Sequence, residues 1–163
     1  MYGLAESEIR KITSTVIAVL EEAVKIDPTR TGGYFCLADA DTGFPILLMA
    51  FGAIPPEKTG KYLRNALEKA SRLAAYLDHN LSRQSRNPAL EHWTGSVRTP
   101  RFIFSFSGFQ EDVDEAAMIV SPLVLGEISQ DEAQSLVDIG RNRSFEPLCA
   151  QVRRLRASDH LAR

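Results

Sequence analysis

Cysteine is scarce in this chain: Cys36 and Cys149 are the only two among 163 residues. A small secreted scaffold carries more, so the count argues against a disulfide framework. With no C-x-x-C pair and no H-E-x-x-H, a structural or catalytic zinc site lacks its ligand set. Each cysteine reads as a small buried hydrophobe, Cys36 from within the apolar run Tyr34–Leu37. Glycine-rich phosphate cradles are missing too, since neither G-x-x-x-x-G-K-[ST] nor G-x-G-x-x-G occurs. There is no G-x-S-x-G elbow, and no Ser–His–Asp set stands out at a recognisable spacing.

Long apolar runs are also lacking. The widest uncharged stretch, Thr42 to Pro56, is interrupted by glycine and proline and falls short of the ~20 residues a bilayer requires. No membrane association is therefore expected. The N-terminus, Met1-Tyr-Gly-Leu-Ala-Glu-Ser-Glu, has no basic segment leading into an apolar core, so no signal peptide is expected and the cytoplasm is the default compartment. Nor does one sign of charge dominate. Nineteen basic against 21 acidic side chains give a net charge of −2, with no global field to steer nucleic acid. What remains is 44% hydrophobic and 25% charged, the mix of one soluble globular domain.

The pattern of elements is clearer. Ile9, Ile12, Val16, Leu20 and Ala23 recur at three- and four-residue steps and predict an amphipathic helix over 6–26. Asp27-Pro28 stops it. Two β-forming runs, Tyr34–Ala38 and Pro45–Phe51, flank the turn Asp39–Gly43 and predict a hairpin. Pro55-Pro56 opens a second helix, with a stripe through Leu63, Leu67, Ala70, Ala74, Leu77 and Leu81. Segment 82–95 is polar and irregular, long enough to be a functional or mobile loop. Val97 to Phe106 reads as one strand, and a helix follows from about Gln110 to Gly126, to be kinked or ended early by Pro122. Ser129-Gln-Asp-Glu132 is a capping box and Gly140 a natural C′ residue, bounding a helix over 130–139. A last helix spans 145–157, with Leu148, Cys149, Val152 and Leu155 on one face.

Among chemical motifs, Asp41-Thr42-Gly43 spells the aspartic-protease tripeptide. That chemistry needs two carboxylates sharing a proton, and the flanking residues fit an exposed turn instead. The histidines are His79, His92 and His160, each expected to face solvent. His92-Trp93 places an imidazole beside a flat aromatic that could meet a planar ligand. Residues 141–163 carry six arginines against Glu146 and Asp159, a net +4 that leaves −6 on the first 140. Without interleaved aromatics this is a solvated face or an oligomer contact rather than a nucleic-acid surface.

The most specific stretch is Ile103-Phe-Ser-Phe-Ser-Gly108, then five residues, then Asp114-Glu115. A strand ending in Ser-Gly before a helix that opens on an acidic pair resembles the GlcG/HbpS-like family of haem-binding and haem-degrading domain proteins. The order of elements over residues 8–126 resembles it as well, with Gly52-Ala53 leading into the second helix. Arg64 occupies the position where that family usually has lysine. Met49-Ala-Phe-Gly52 stands in place of Arg-Met-Asp-Gly, so Phe51 replaces the aspartate, and the Gly-rich segment before the third strand is reduced to Trp93-Thr-Gly95-Ser.

The resemblance implies an α/β fold of the α+β type, a profilin-like antiparallel sheet flanked by helices. On this reading residues 1–126 form the GlcG/HbpS-like domain, and 127–163 a C-terminal helical extension packed on it. It also implies homo-oligomers and a small-molecule role, haem or a related tetrapyrrole included. A cleft between the sheet and the second helix would be lined by Phe51, Tyr62, Arg64, Phe106 and Ser107, with Arg64 meeting a carboxylate. No haem ligand is transferred by the resemblance; His92 and His79 are the axial candidates this chain offers. Two other functions stay open: an assembly protein that oligomerises through its C-terminal helices, and an enzyme of haem degradation.

Overall fold

The computed structural model describes residues 4–161, and side chains up to Ser158. The N-terminal Met1-Tyr-Gly and the side chains of His160 and Arg163 lie outside the described residues. The elements are α1 (Glu6–Ile26), β1 (Gly32–Asp39), β2 (Pro45–Gly52), α2 (Thr59–Ala75), β3 (Ser96–Arg98), β4 (Phe102–Ser107), α3 (Glu111–Leu125), α4 (Gln130–Gly140) and α5 (Phe145–Leu161). All strand pairs are antiparallel, in the order β2-β1-β4-β3. This is an α+β fold, a four-stranded antiparallel sheet flanked by helices.

Strand alternation sends side chains to opposite faces and so builds two cores. Phe35 and Leu37 of β1, with Phe104 and Phe106 of β4, join Val16 and Leu20 of α1 and Met118 and Ile119 of α3. Cys36, Ala38 and Ile103 point the other way, onto Ala66, Ala70 and Leu73 of α2. The small residues let α2 lie close on the sheet, while the larger core takes the aromatics. Each fully buried Phe or Leu contributes about 1.5–3 kcal/mol.

The hairpin forms as expected. Asp39 Oδ1 accepts from the Thr42 amide at 2.9 Å and the Asp41 amide at 3.2 Å, so Asp-Thr-Gly is an exposed turn. Several boundaries differ from the sequence expectation, the end of α5 among them, at Leu161 rather than 157. Helix α2 stops at Ala75, because Arg98 of β3 donates to the carbonyls of Leu73 and Tyr76 and caps its end. Leu77 is consequently 79% exposed, while Leu81 is buried through a bridge to Val97 rather than as part of the helix. The run 97–106 is two strands, since Pro100 lacks an amide hydrogen and Thr99 closes a turn onto Phe102. Helix α3 continues through Pro122 to Leu125 and ends where Gly126 turns left-handed. Gly140 is the last residue of α4, and Arg141 takes the left-handed position at φ 49°.

The C-terminal helices belong to the larger core. Phe145, Leu148, Cys149 and Val152 of α5 are buried in it, and α5 packs on α1 and α3. The exposed arginines of α5 lie on its outer side, where Arg153 donates to Gln130 at 2.7 Å. None of the described helices is long and apolar enough to cross a membrane.

Candidate functional site

A cleft of about 480 Å³ opens where β1 begins and β4 ends. The first half of α2 forms one wall, with Lys61, Tyr62, Asn65 and Lys69; the start of α3 forms the other. The two strands meet closely at its floor because the contact is glycine on glycine. A Cβ at Gly33 would run into the Ser107 carbonyl, and one at Gly108 into the Gly32 backbone.

The acidic pair that closes the Ser-Gly motif is the hub of this region. Asp114 Oδ1 accepts from the Phe109 amide at 2.8 Å, and Oδ2 lies 3.2 Å from Lys69 Nζ. Lys69 Nζ also donates to the Phe106 carbonyl at 2.9 Å. Only 2% of the Lys69 side chain and 4% of that of Asp114 remain exposed. Burial pushes the Asp114 carboxyl up to about 6, against the pull of Lys69 and the Phe109 and Gly108 amides. Gly95, at φ 123°, passes beside this pair; a Cβ there would stand 2.8 Å from Lys69 Nζ and 2.8 Å from the Phe106 carbonyl.

Glu115 points the other way and is wholly buried. It accepts from Arg83 Nε at 2.9 Å, from Asn142 Nδ2 at 3.0 Å, and from the Thr94 hydroxyl. One carboxylate thereby ties α3 to the 82–95 segment and to the α4–α5 connection. Arg72 adds a further tie from α2, donating to the Ser82 carbonyl at 2.8 Å and the Trp93 carbonyl at 2.6 Å. Arg86 reaches Glu111 at 2.7 Å. Segment 82–95 is therefore two short 3₁₀ turns, Ser82–Ser85 and Pro88–Leu90, pinned by three arginines, rather than an irregular loop.

Trp93 projects from that segment to line the cleft. Lys61 Nζ lies 6.0 Å and Arg86 Cζ 5.8 Å from its ring centroid, within the range of cation–π attraction. Its indole Nε1 is buried and has no acceptor, an omission worth about 1–3 kcal/mol. The charges at the cleft are unevenly satisfied. Glu111, Asp112 and Asp114 each pair with a cation, whereas Lys58 and Lys61 have no ion-pair partner among the described residues. Arg30 adds a third cation at the rim, donating to the Phe109 carbonyl at 2.8 Å. The arrangement can hold an anion at its mouth and offer a flat aromatic surface beside it.

Of the residues nominated from sequence, Tyr62 and Ser107 line the cleft. Phe106 lies behind it in the core and contributes its carbonyl to Lys69. Phe51 is edge-on to Phe106 and Phe109 at ring distances of 6.5 and 6.3 Å, and forms part of the wall behind. Arg64 is exposed on α2 and does not line the cleft, because its helical position is turned away from Tyr62 and Lys69. The cation nearest the intended role is Lys61. His79 stacks on Tyr76 past the far end of α2, and His92 Nε2 faces Glu68 at 3.7 Å; neither lines the cleft.

Lys69 and the role of Asp114 escaped sequence reasoning, although a lysine three residues after Ala66 and four before Leu73 sits on the buried face; of the pair His92-Trp93 singled out there, only Trp93 lines the cleft. Among the described residues, no group of three or more His, Cys, Asp or Glu is placed to hold a metal ion. A tetrapyrrole does not suit this lining. Only Tyr62, Trp93 and Phe109 are aromatic there, the rest are polar or charged, and Tyr62 alone could meet an iron. No protein-family model, curated protein or solved structure matches this chain.

Proposed function

We propose that this chain is a small-molecule-binding module whose ligand is a compact anion with a flat portion. The observation that carries it is the placing in one cleft of the Trp93 ring and the cations Lys58 and Lys61, which have no ion-pair partner among the described residues. An anionic group would meet Lys61 and Arg30, and the flat portion of the ligand would lie against the Trp93 ring. The volume of about 480 Å³ is that of a small-ligand pocket. The resemblance to GlcG/HbpS-like proteins leads to the same class of function, and the polar lining favours a smaller ligand than haem. Among the described residues, no nucleophile with an adjacent free base lines the cleft, which favours binding or sensing over catalysis.

Trp93 is the sole tryptophan, so its fluorescence reports from inside the site. Titration with benzoate, indole-3-acetate, citrate, inorganic phosphate and haemin tests the proposal. A saturable change with at least one aromatic carboxylate is expected, weakened roughly tenfold, about 1.4 kcal/mol, in Lys61→Ala. No saturable change with any of these at millimolar concentration, and no small molecule released from the purified protein in mass spectrometry, would overturn it. A Soret band that saturates at one haemin per chain would redirect it to the tetrapyrrole.

A further inference from the structure

The uncharged stretch Thr42–Pro56 has no part in the cleft, and the fold puts it at the rim of the sheet. Strand β2 pairs with β1 on one side, and among the described residues nothing pairs with its outer edge. Natural sheets protect such an edge with lysine, a central proline or a covering helix, because its free amides and carbonyls template another strand. β2 has none of these: Pro45 stands at its first position, and Ile46 to Gly52 carry neither proline nor charge. A register irregularity opposite Leu37–Ala38 confines the strand's bulge to the Pro45 end, leaving Leu47 to Gly52 in regular register.

Both faces beside the edge are apolar. Leu47, Met49 and Phe51 share the face packed on the larger core and are half-buried. Leu48, 45% exposed, lies on the α2 face, and Phe44 in the preceding turn is 60% exposed. The flank of α2 nearest β2 is fixed by Gly43, which lies against Ser71 and Ala74. Helical spacing brings Leu67 and Leu63, both half-buried, onto that same flank. The opposite flank carries Lys69, which faces the cleft, and Arg72, which is tied to the 82–95 segment.

We propose that β2 is a homodimerisation edge, two copies pairing antiparallel along it to make one eight-stranded sheet. A second copy is the occupant because the strand is complementary to itself. A two-fold axis at Leu48 sets Leu47 opposite Met49 of the other copy on one face and Leu48 opposite Leu48 on the other. Ile46 to Gly52 carry no charge, so no like charges meet along the paired strands, which is the usual obstacle to such self-pairing. The same axis brings the two α2 flanks to one side of the joined sheet. Leu63 and Leu67 there widen a contact that a strand alone would leave narrow. The surface lies away from the cleft and does not depend on what the cleft binds.

Sedimentation of the full chain at micromolar to submillimolar concentration tests this, with twice the 18.1 kDa chain mass expected. Leu48→Arg should give a monomer with an unchanged far-UV spectrum and cooperative melting, its side chain being half outside already. Leu48→Cys, which faces itself across the axis, should cross-link under mild oxidation, while Met49→Cys, which faces Leu47, and the parent chain, with both thiols buried, should not. A parent chain that is monomeric throughout would overturn the proposal. So would a Leu48→Arg variant that stays dimeric, or a monomer whose edge takes up only strands of unrelated proteins.

Discussion

Lys69 Nζ stands 3.2 Å from Asp114 Oδ2, an ion pair that joins helices from opposite faces of the sheet with both side chains closed to solvent. Neither charge has water to fall back on. Removing one partner leaves the other buried and uncompensated, at a cost of about 3–5 kcal/mol. Lys69→Met should therefore lower stability to urea by that amount. Lys69→Met combined with Asp114→Leu should recover part of it, since the stranded charge goes too.

The same pair gives a pH signature. Asp114 in the folded chain titrates near 6, above the ordinary carboxylate value of 3.8, because burial disfavours its charged form. Its contribution to stability is full below the unfolded value, declines as pH rises between about 4 and 6, and is lost above that. Unfolding free energies measured from pH 4 to 7 should show this decline for the parent chain. Asp114→Asn, though less stable overall, should lack it. A parallel slope in both proteins would assign the titration elsewhere.

Glu115 is bound by Arg83, Thr94 and Asn142, and Gly140 passes so near that a Cβ would stand 2.5 Å from its Oε1. Glu115→Ala strands the three donors and should cost roughly 2–4 kcal/mol, by analogy with other buried charged hydrogen bonds. The loss should show first as faster amide exchange in 82–95 and in the α4–α5 connection.

Gly95→Ala combines a left-handed φ of 123° with a collision at Lys69 and Phe106. It should lower stability by about 2 kcal/mol or more and shift Trp93 emission, since Trp93 lies two residues away. Unchanged emission would mean that the cleft wall is independent of this position.

Burial pushes the Cys36 thiol up to about 11, and burial raises that of Cys149 as well. In the native protein at pH 8, neither should react with a thiol reagent on the timescale of minutes. Two thiols per chain should react in denaturant. Fast reaction of one in the native state would show that its element opens readily.

The parts of this fold that were legible are those fixed by near neighbours in sequence. The Ser129–Glu132 capping box forms in both directions, with amides donating at 3.1 and 2.6 Å, and the Asp39 turn closes within four residues. The period of α1 likewise needs nothing from outside itself. The end of α2 was not legible, because Arg98 sets it from more than twenty residues away. Nor were the buried cations of α2. By any local rule Lys69 and Arg72 belong in solvent, and what buries them are Asp114, the Phe106 carbonyl and the backbone of 82–93, all distant in the chain. The Asp-Glu motif was visible as a pattern, but its two carboxylates turn out to face different partners.

Strand β1 sits at the middle of the sheet, and its second partner, β4, arrives roughly 70 residues later, Tyr34 opposite Ser107. During synthesis at ~5–20 residues per second, the β1–β2 hairpin leaves the ribosome seconds before the strand that completes its far side. For that interval both edges of a hairpin whose only charges, Asp39 and Asp41, sit at its turn stand open at once. The chain is thus most exposed to misassembly before its C-terminal third exists, and conditions that slow translation should lower the yield of folded protein.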